Sequence, residues 1–224
     1  AGGAPLTPMN ALLLARLSLL LLPVPVTDAQ HAYRLSAPLE RSPIGNVHDA
    51  RVSGDGRRAL YRADPRGDGE LRLYRTALDA SEHVVDLGPT AGGPGAYVLD
   101  ASGDHVVHLR FDASTGHLEL VGRRGAGSGS ALVLNAPLVP GGDVLDFLLA
   151  PAGDLVLYRA DALQDGVPEL FAVSTRGGRV IRVSAAGDVE PDYVLGTDGR
   201  SVYFRERVAP STRELFRGSV AGRT

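Results

Sequence analysis

The feature that most constrains this chain is that it repeats itself. The stretch Asp146–Ser184 reads DFLLAPAGDLVLYRADALQDGVPELFAVSTRGGRVIRVS, and its parts recur before and after it. A turn glycine falls at Gly56, Gly103, Gly153 and Gly199, at spacings of 47, 50 and 46 residues. An arginine behind an apolar or aromatic pair falls at Arg62, Arg110, Arg159 and Arg205. A Glu-Leu pair opens the next segment at Glu70-Leu71, Glu119-Leu120, Glu169-Leu170 and Glu214-Leu215. Three landmarks that hold a period near 48 through four copies mark a repeat architecture. Each unit of such a chain buries its faces against its neighbours.

Within a copy the segments are short and β-like. Phe147–Ala150 leads through a Pro-Ala-Gly-Asp turn to Leu155–Ala160; a polar loop, Glu169–Ser174, an Arg-Gly-Gly turn and Arg179–Ser184 follow. Runs of Val, Leu, Tyr and Phe bounded by Gly, Asp and Pro are strand and hairpin signals, and nothing holds a helical period over three turns. Four antiparallel strands in such a unit form the blade of a β-propeller. A β-sandwich would also give regular strands, but it would not repeat residue identities. The predicted fold is all-β, with four recognisable four-stranded blades. Copies one to three end in fourth strands at His83–Leu87, Ala131–Leu138 and Arg179–Ser184, whereas copy four reaches Gly218–Thr224 before its own. Tyr33–Leu39 resembles a fourth strand standing alone, by comparison with Val133–Leu138. Two arrangements remain open: this N-terminal strand closes the ring on copy four, or the four blades are part of a larger ring.

Composition narrows the function. The 224 residues contain no cysteine, which excludes disulfides, iron–sulfur clusters and thiol catalysis. All 23 basic residues are arginine, and the net charge of −3 gives no attraction to nucleic acid or anionic lipid. The only long apolar run, Leu12–Val26, carries Arg16 ahead of Leu17–Val26 and then Thr27-Asp28-Ala29. That is the order of a secretory signal, with small residues before a cleavage point. Residues 1–29 are therefore expected to be a targeting segment and 30–224 the propeller domain of an exported, periplasmic or extracellular protein. The alternative is a buried segment of a preceding region. The apolar run spans about half of a hydrocarbon core, so no stable membrane insertion is expected.

The turn and strand pattern of AP-AGD-LVLYRAD, ELFAVSTRGG and RVIRVS, and of VSGDG-RRALYRAD with ELRLYRTA, resembles the repeat of TolB-like (WD40-like) propellers. The resemblance covers about Tyr33–Thr224 and is specific for fold rather than activity. It implies an envelope scaffold that binds protein partners and has no catalysis of its own. Propellers with the same repeat also precede the hydrolase domain of prolyl-oligopeptidase-like peptidases. The alternative is thus the propeller portion of a larger enzyme, such a peptidase or a propeller lyase. There is no Gly-x-Ser-x-Gly elbow here, and no tryptophan, which disfavours classical WD repeats.

Candidate sites follow from the repeats. Arg62, Arg110, Arg159 and Arg205 take one place in each copy, so rotation would set them in a ring that could receive an acidic peptide or other anion. The competing reading pairs each with a repeat carboxylate such as Glu70, Glu119 or Glu169, tying strands together. Asp64, Asp68, Asp161 and Asp165 lie in loops between second and third strands; they are weak candidates for calcium and good turn formers. Arg66-Gly67-Asp68 is an integrin-type tripeptide that carries little weight in so Arg- and Gly-rich a chain. Histidines 31, 48, 83, 105, 108 and 117 show no metal-ligand spacing, and His105 and His108 point to opposite faces of one strand. Gly125–Ser130 lacks the strand-to-helix context of a phosphate loop and reads as a hairpin. No cofactor, metal or catalytic constellation is expected, and the partners are expected to be proteins.

Overall fold

A computed structural model describes residues 34–40, 44–92, 96–124, 130–185 and 187–221. The predicted targeting segment 1–29, and all but Ser130 of the glycine-rich hairpin, lie outside the described residues. Residues 35–224 form one compact unit. Among the described residues no helix is long and apolar enough to cross a membrane.

Sixteen strands fall into four antiparallel sheets, each built from one copy of the repeat. Sheet 1 runs β1 (Asn46–Val52), β2 (Arg58–Asp64), β3 (Arg72–Ala77), β4 (Val85–Pro89) in spatial order. Sheet 2 follows with β5 (Tyr97–Leu99), β6 (His105–Asp112), β7 (His117–Arg124) and β8 (Leu132–Val133). Sheet 3 comprises β9 (Val144–Leu149), β10 (Leu155–Ala160), β11 (Glu169–Ser174) and β12 (Ile181–Arg182). In sheet 4, β13 (Asp188–Val189) and β14 (Val194–Leu195) both pair with β15 (Ser201–Ala209), which pairs on its other edge with β16 (Thr212–Ser219). The four blades stand as the repeat predicts.

The recurrent glycine is explained by the hairpin between first and second strands. Gly56, Gly103, Gly153 and Gly199 have φ of 68, 75, 74 and 64°, the left-handed region that a Cβ disfavours. Each donates its N–H to the carbonyl three residues back, at Ser53, Asp100, Ala150 and Gly196. One turn is thus used four times, and it sets the register of everything after it.

Second and third strands alternate between two buried faces. Leu60 and Leu73 of sheet 1 pack with Tyr97 and Val106 of sheet 2. Val107, Leu109 and Leu120 of sheet 2 pack with Val156, Tyr158 and Phe171 of sheet 3, and Leu157 and Leu170 of sheet 3 pack with Val202 and Phe204 of sheet 4. The core is therefore a series of inter-sheet layers. On the face turned toward the preceding unit, cross-strand ring pairs recur: Tyr61–Tyr74 and Tyr158–Phe171 at 5.2 Å, and Phe204–Phe216 at 5.9 Å.

Within the described residues 34–40 no ladder to β16 is present. Among the described residues β16 is hydrogen-bonded to β15, and 34–40 forms no strand. The resemblance of Tyr33–Leu39 to Val133–Leu138 has a different meaning. The Ala37 N–H donates to the Tyr61 hydroxyl at 2.8 Å and Leu39 packs on Tyr61, Ala63 and Tyr74, as the Ala136 N–H donates to the Tyr158 hydroxyl at 2.9 Å. Each segment seats on the tyrosine of the sheet that follows it.

His108 occupies the place of Tyr61, Tyr158 and Phe204 in sheet 2, opposite Val121. It is fully buried, and burial, with Arg123 and Arg110 nearby, pushes its pKa down to about 4. In the unfolded chain it titrates near 6.5, so between these values the unfolded state binds the extra proton. The contribution is present above about pH 6.5 and is lost as pH falls toward 4, a loss of about 3 kcal/mol. His108→Phe, which restores the residue type of the other copies, is expected to remove this component from the pH dependence of urea unfolding. An unchanged acid slope in the variant would refute the assignment.

Candidate functional site: the inter-sheet junctions and the turn groove

The recurrent arginines sit on second strands, facing the following sheet. The Arg62 Nε lies 3.0 and 3.1 Å from the two oxygens of Asp49, and its Nη1 donates to the Ala91 carbonyl at 3.2 Å. Arg159 repeats this, with Nε and Nη2 at 3.0 and 2.6 Å from Asp146 Oδ2 and Nη1 at 2.7 Å from the Val189 carbonyl. In sheet 4 the Arg205 Nε donates to Asp192 at 2.8 Å. Every pair spans thirteen residues: Asp49 and Asp146 stand on first strands directly across the hairpin, and Asp192 lies two residues before β14.

A tyrosine of the next sheet completes two of these pairs. The Tyr97 hydroxyl donates to Asp49 Oδ1 and the Tyr193 hydroxyl to Asp146 Oδ1, each at 2.9 Å. Arg51 and Arg62 also lie over the Tyr97 ring, at 5.3 and 5.4 Å from its centroid. The electrostatics agree with the geometry. The Arg62 hydrogen bond holds the Asp49 carboxyl below its usual range, and burial together with Asp49 pushes the Tyr97 phenol up to about 12. Burial and the Asp146 charge raise the Tyr193 phenol as well. Each triad joins two strands of one sheet to the next sheet, at Tyr97 on β5 and at Tyr193 just before β14.

Arg110 departs from this pattern. Gly56, Gly153 and Gly199 precede their arginines by six residues, but Gly103 precedes Arg110 by seven. The equivalent place belongs to Leu109, which pairs with Leu120 as Arg62, Arg159 and Arg205 pair with Leu73, Leu170 and Leu215. Arg110 therefore projects from the opposite face of β6, 2.6 Å from Glu119. The structure brings three of the four arginines to one register position, and the extra residue displaces the fourth. At the junction after sheet 2 the three corresponding places are apolar: Ala96 replaces the aspartate, Leu109 the arginine, and Phe147, which packs against Leu109's cluster, the tyrosine. The polar set and the apolar set are each complete.

Of the carboxylates proposed from the Glu-Leu landmark, Glu119 pairs with Arg110 as expected, whereas the other two serve other arginines. Glu70 pairs with Arg72 and Glu169 with Arg182, each at 2.8 Å. Glu70-Leu71 also lies two residues early, since Leu73 is the register counterpart of Leu170 and Leu215. The aspartates that do pair the arginines were legible in principle from the constant thirteen-residue spacing.

The acidic loops close turns. Asp64 accepts the N–H groups of Gly67 and Gly69 at 2.6 and 2.7 Å, and Asp161 those of Asp143 and Gly166 at 2.5 and 2.9 Å. Asp68 accepts the Glu70 N–H at 3.0 Å, and Asp165 stands beside Gly141. His105 is held 2.9 Å from Asp100. Among the described residues no three His, Asp or Glu side chains are grouped to hold a metal ion.

One concavity lies on the turn face. At the junction of sheets 1 and 2 the turns touch, through the Asp55 N–H to the Ala101 carbonyl at 3.0 Å and Arg58 to Asp104 at 2.9 Å. At the next junction Gly153 lies against Asp100. Between sheets 3 and 4 the turns part, leaving a groove of about 830 Å³. Pro151, Leu155, Leu195 and Val220 give it apolar walls, and Asp154 and Arg176 supply opposite charges. The neighbouring turn is fixed by Asp198, whose carboxyl is held down to about 2 by the Ser201 and Arg200 N–H groups and the Ser201 hydroxyl.

No family model and no curated protein matches the chain. Among solved structures it is similar to TolB from Acinetobacter baumannii, with a TM-score of 0.51 at 14% identity, over 79% of this chain and 41% of that one. It is also similar to a prolyl endopeptidase, with a TM-score of 0.53 at 14% identity, over 77% of this chain and 27% of the endopeptidase. The chain thus spans less than half the length of either. Four antiparallel four-stranded sheets, packed face to face through repeated junctions, give this chain the TolB-like β-propeller fold.

Proposed function

We propose that this is an exported propeller scaffold that recognises a protein partner and performs no catalysis of its own. The observation that carries the reading is the groove between sheets 3 and 4, where the turns part instead of touching. Its apolar walls and its two opposite charges, Asp154 and Arg176, suit a peptide segment with an apolar residue beside a charged one. The arginines are part of the framework: Arg62 and Arg159 are engaged by aspartate and by the next sheet, which supports packing rather than anion capture as their role. Residues 1–29 direct export and are removed, and 30–224 are the mature domain. The likeness to a prolyl endopeptidase supports a second reading, in which the sheets are the propeller portion of a larger peptidase.

A photoreactive group attached through Ala152→Cys or Thr197→Cys, both in the groove, is expected to cross-link a discrete partner in the cell envelope. The same group at Ser114→Cys, on the opposite turn end of sheet 2, is expected to give none. Equal labelling from both ends, or none from the groove, would refute the recognition reading. A mature N-terminus that retains residues 1–29 would refute export.

A further inference from the structure

Each junction between consecutive sheets is matched across its two sides. Asp49 and Arg62 meet Tyr97, Ala96 and Leu109 meet Phe147, and Asp146 and Arg159 meet Tyr193. Sheet 4 presents Asp192 and Arg205, joined at 2.8 Å, on the corresponding face. Among the described residues no tyrosine hydroxyl reaches Asp192. The rest of that face is open as well. Tyr203 is 40% exposed where Leu60 and Leu157 are 0 and 1%, and Leu215 is 74% exposed where Leu73 and Leu170 are 0%. These residues hold the register positions that are buried at the other junctions.

We propose that this face of sheet 4 is a docking surface for a further β-blade of the same repeat, one that carries a tyrosine at the place of Tyr97 and Tyr193. Its hydroxyl donates to Asp192, its ring lies beside Arg205, and its apolar residues cover Tyr203 and Leu215. The same matching rule argues against a second copy of this chain seated by its sheet 1. There the register place across from Tyr61 is Ala50, which offers neither ring nor hydroxyl. The inference rests on the junctions alone and does not depend on the groove or on export.

The test uses the repeat itself. A tandem copy of residues 175–219 joined after Ser219 supplies a strand to pair with the outer edge of β16 and then a blade bearing the equivalent of Tyr193. This extension is expected to raise the thermal midpoint, and replacing only the appended tyrosine with Phe is expected to lose about 4 °C of that rise. Asp192→Ala should abolish the difference between the Tyr and Phe extensions. Equal midpoints for the two extensions would overturn the proposal. An independent readout uses the cysteine-free background. Leu215→Cys should react with a thiol reagent as fast as a free peptide in the unextended chain and at least tenfold more slowly in the extended one. Slow reaction in the unextended chain, accompanied by a dimer in sedimentation, would mean that a second copy covers the face, and would overturn the proposal too.

Discussion

Asp146→Ala is expected to destabilise the chain by about 3 kcal/mol, whereas the triple change Asp146→Ala, Arg159→Leu, Tyr193→Phe should come within about 1 kcal/mol of the original. The single change removes the shared acceptor of the triad. Arg159, whose side chain is only 13% exposed, loses the carboxylate at 2.6 Å, and the buried Tyr193 hydroxyl loses the carboxylate it donates to. Stranding a charged donor and a hydroxyl in one interface costs far more than never placing them there. The triple change reproduces the set of residues that this chain already uses between sheets 2 and 3, where Ala96, Leu109 and Phe147 hold the three equivalent places. Urea unfolding of the three single variants and the triple measures the non-additivity. Losses that simply add would mean that the three side chains do not act as a unit.

The second large effect contrasts two leucines at one register position. Leu170 is fully buried between sheets 3 and 4, and Leu170→Ala is expected to cost about 3 kcal/mol in lost transfer and cavity. Leu215 pairs with Arg205 as Leu170 pairs with Arg159, yet it is 74% exposed, so Leu215→Ala should change stability by less than about 0.5 kcal/mol. Equilibrium unfolding of both variants decides the matter. Comparable losses would show that something buries the outer face of sheet 4 in solution.

Much of this fold was legible in the residues because its most repeated element is the least negotiable one. A turn that needs positive φ leaves a glycine behind at Gly56, Gly103, Gly153 and Gly199, and the second strand starts at a fixed distance from it. Glu169–Ser174 and Leu155–Ala160 were read to the residue, since they lie between turn signals and are buried on both faces. Fourth strands were read less well: His83–Leu87 is displaced to Val85–Pro89, and the other two were read too long. Ala131–Leu138 shrinks to Leu132–Val133 and Arg179–Ser184 to Ile181–Arg182, because side chains take over the ladder there. Asn135 Oδ1 accepts the Leu120 N–H at 2.8 Å and Ser184 Oγ the Leu170 N–H at 3.0 Å, while the backbone leaves to seat on the next sheet. Hydrophobic pattern alone does not report such an exchange.

The junctions were half visible. The arginines announced themselves, but their aspartates lie on or just before first strands, whose composition varies most between copies. The slip at Arg110 was written in the chain as one extra residue after Gly103. It went unread because an arginine stood next to the expected place, and in a strand one residue is the whole difference between two faces. Tyr97 and Tyr193 could not be assigned from their own copies, since the group each one serves belongs to the preceding sheet.

Tyr97 and Tyr193 each lock one sheet to the carboxylate of the sheet before it, a role that tyrosine ionisation reads out. The chain has seven tyrosines and no tryptophan, so tyrosinate absorbance is free of indole background. Subtracting the titration of a Tyr97→Phe, Tyr193→Phe double variant isolates those two phenols. In the folded chain the difference should show no ionisation at the ordinary midpoint near 10, with Tyr97 rising only toward about 12 and Tyr193 also displaced upward. A difference curve with the amplitude of two tyrosines and a midpoint near 10 would contradict the account, because freely ionising hydroxyls would not be those that join the sheets.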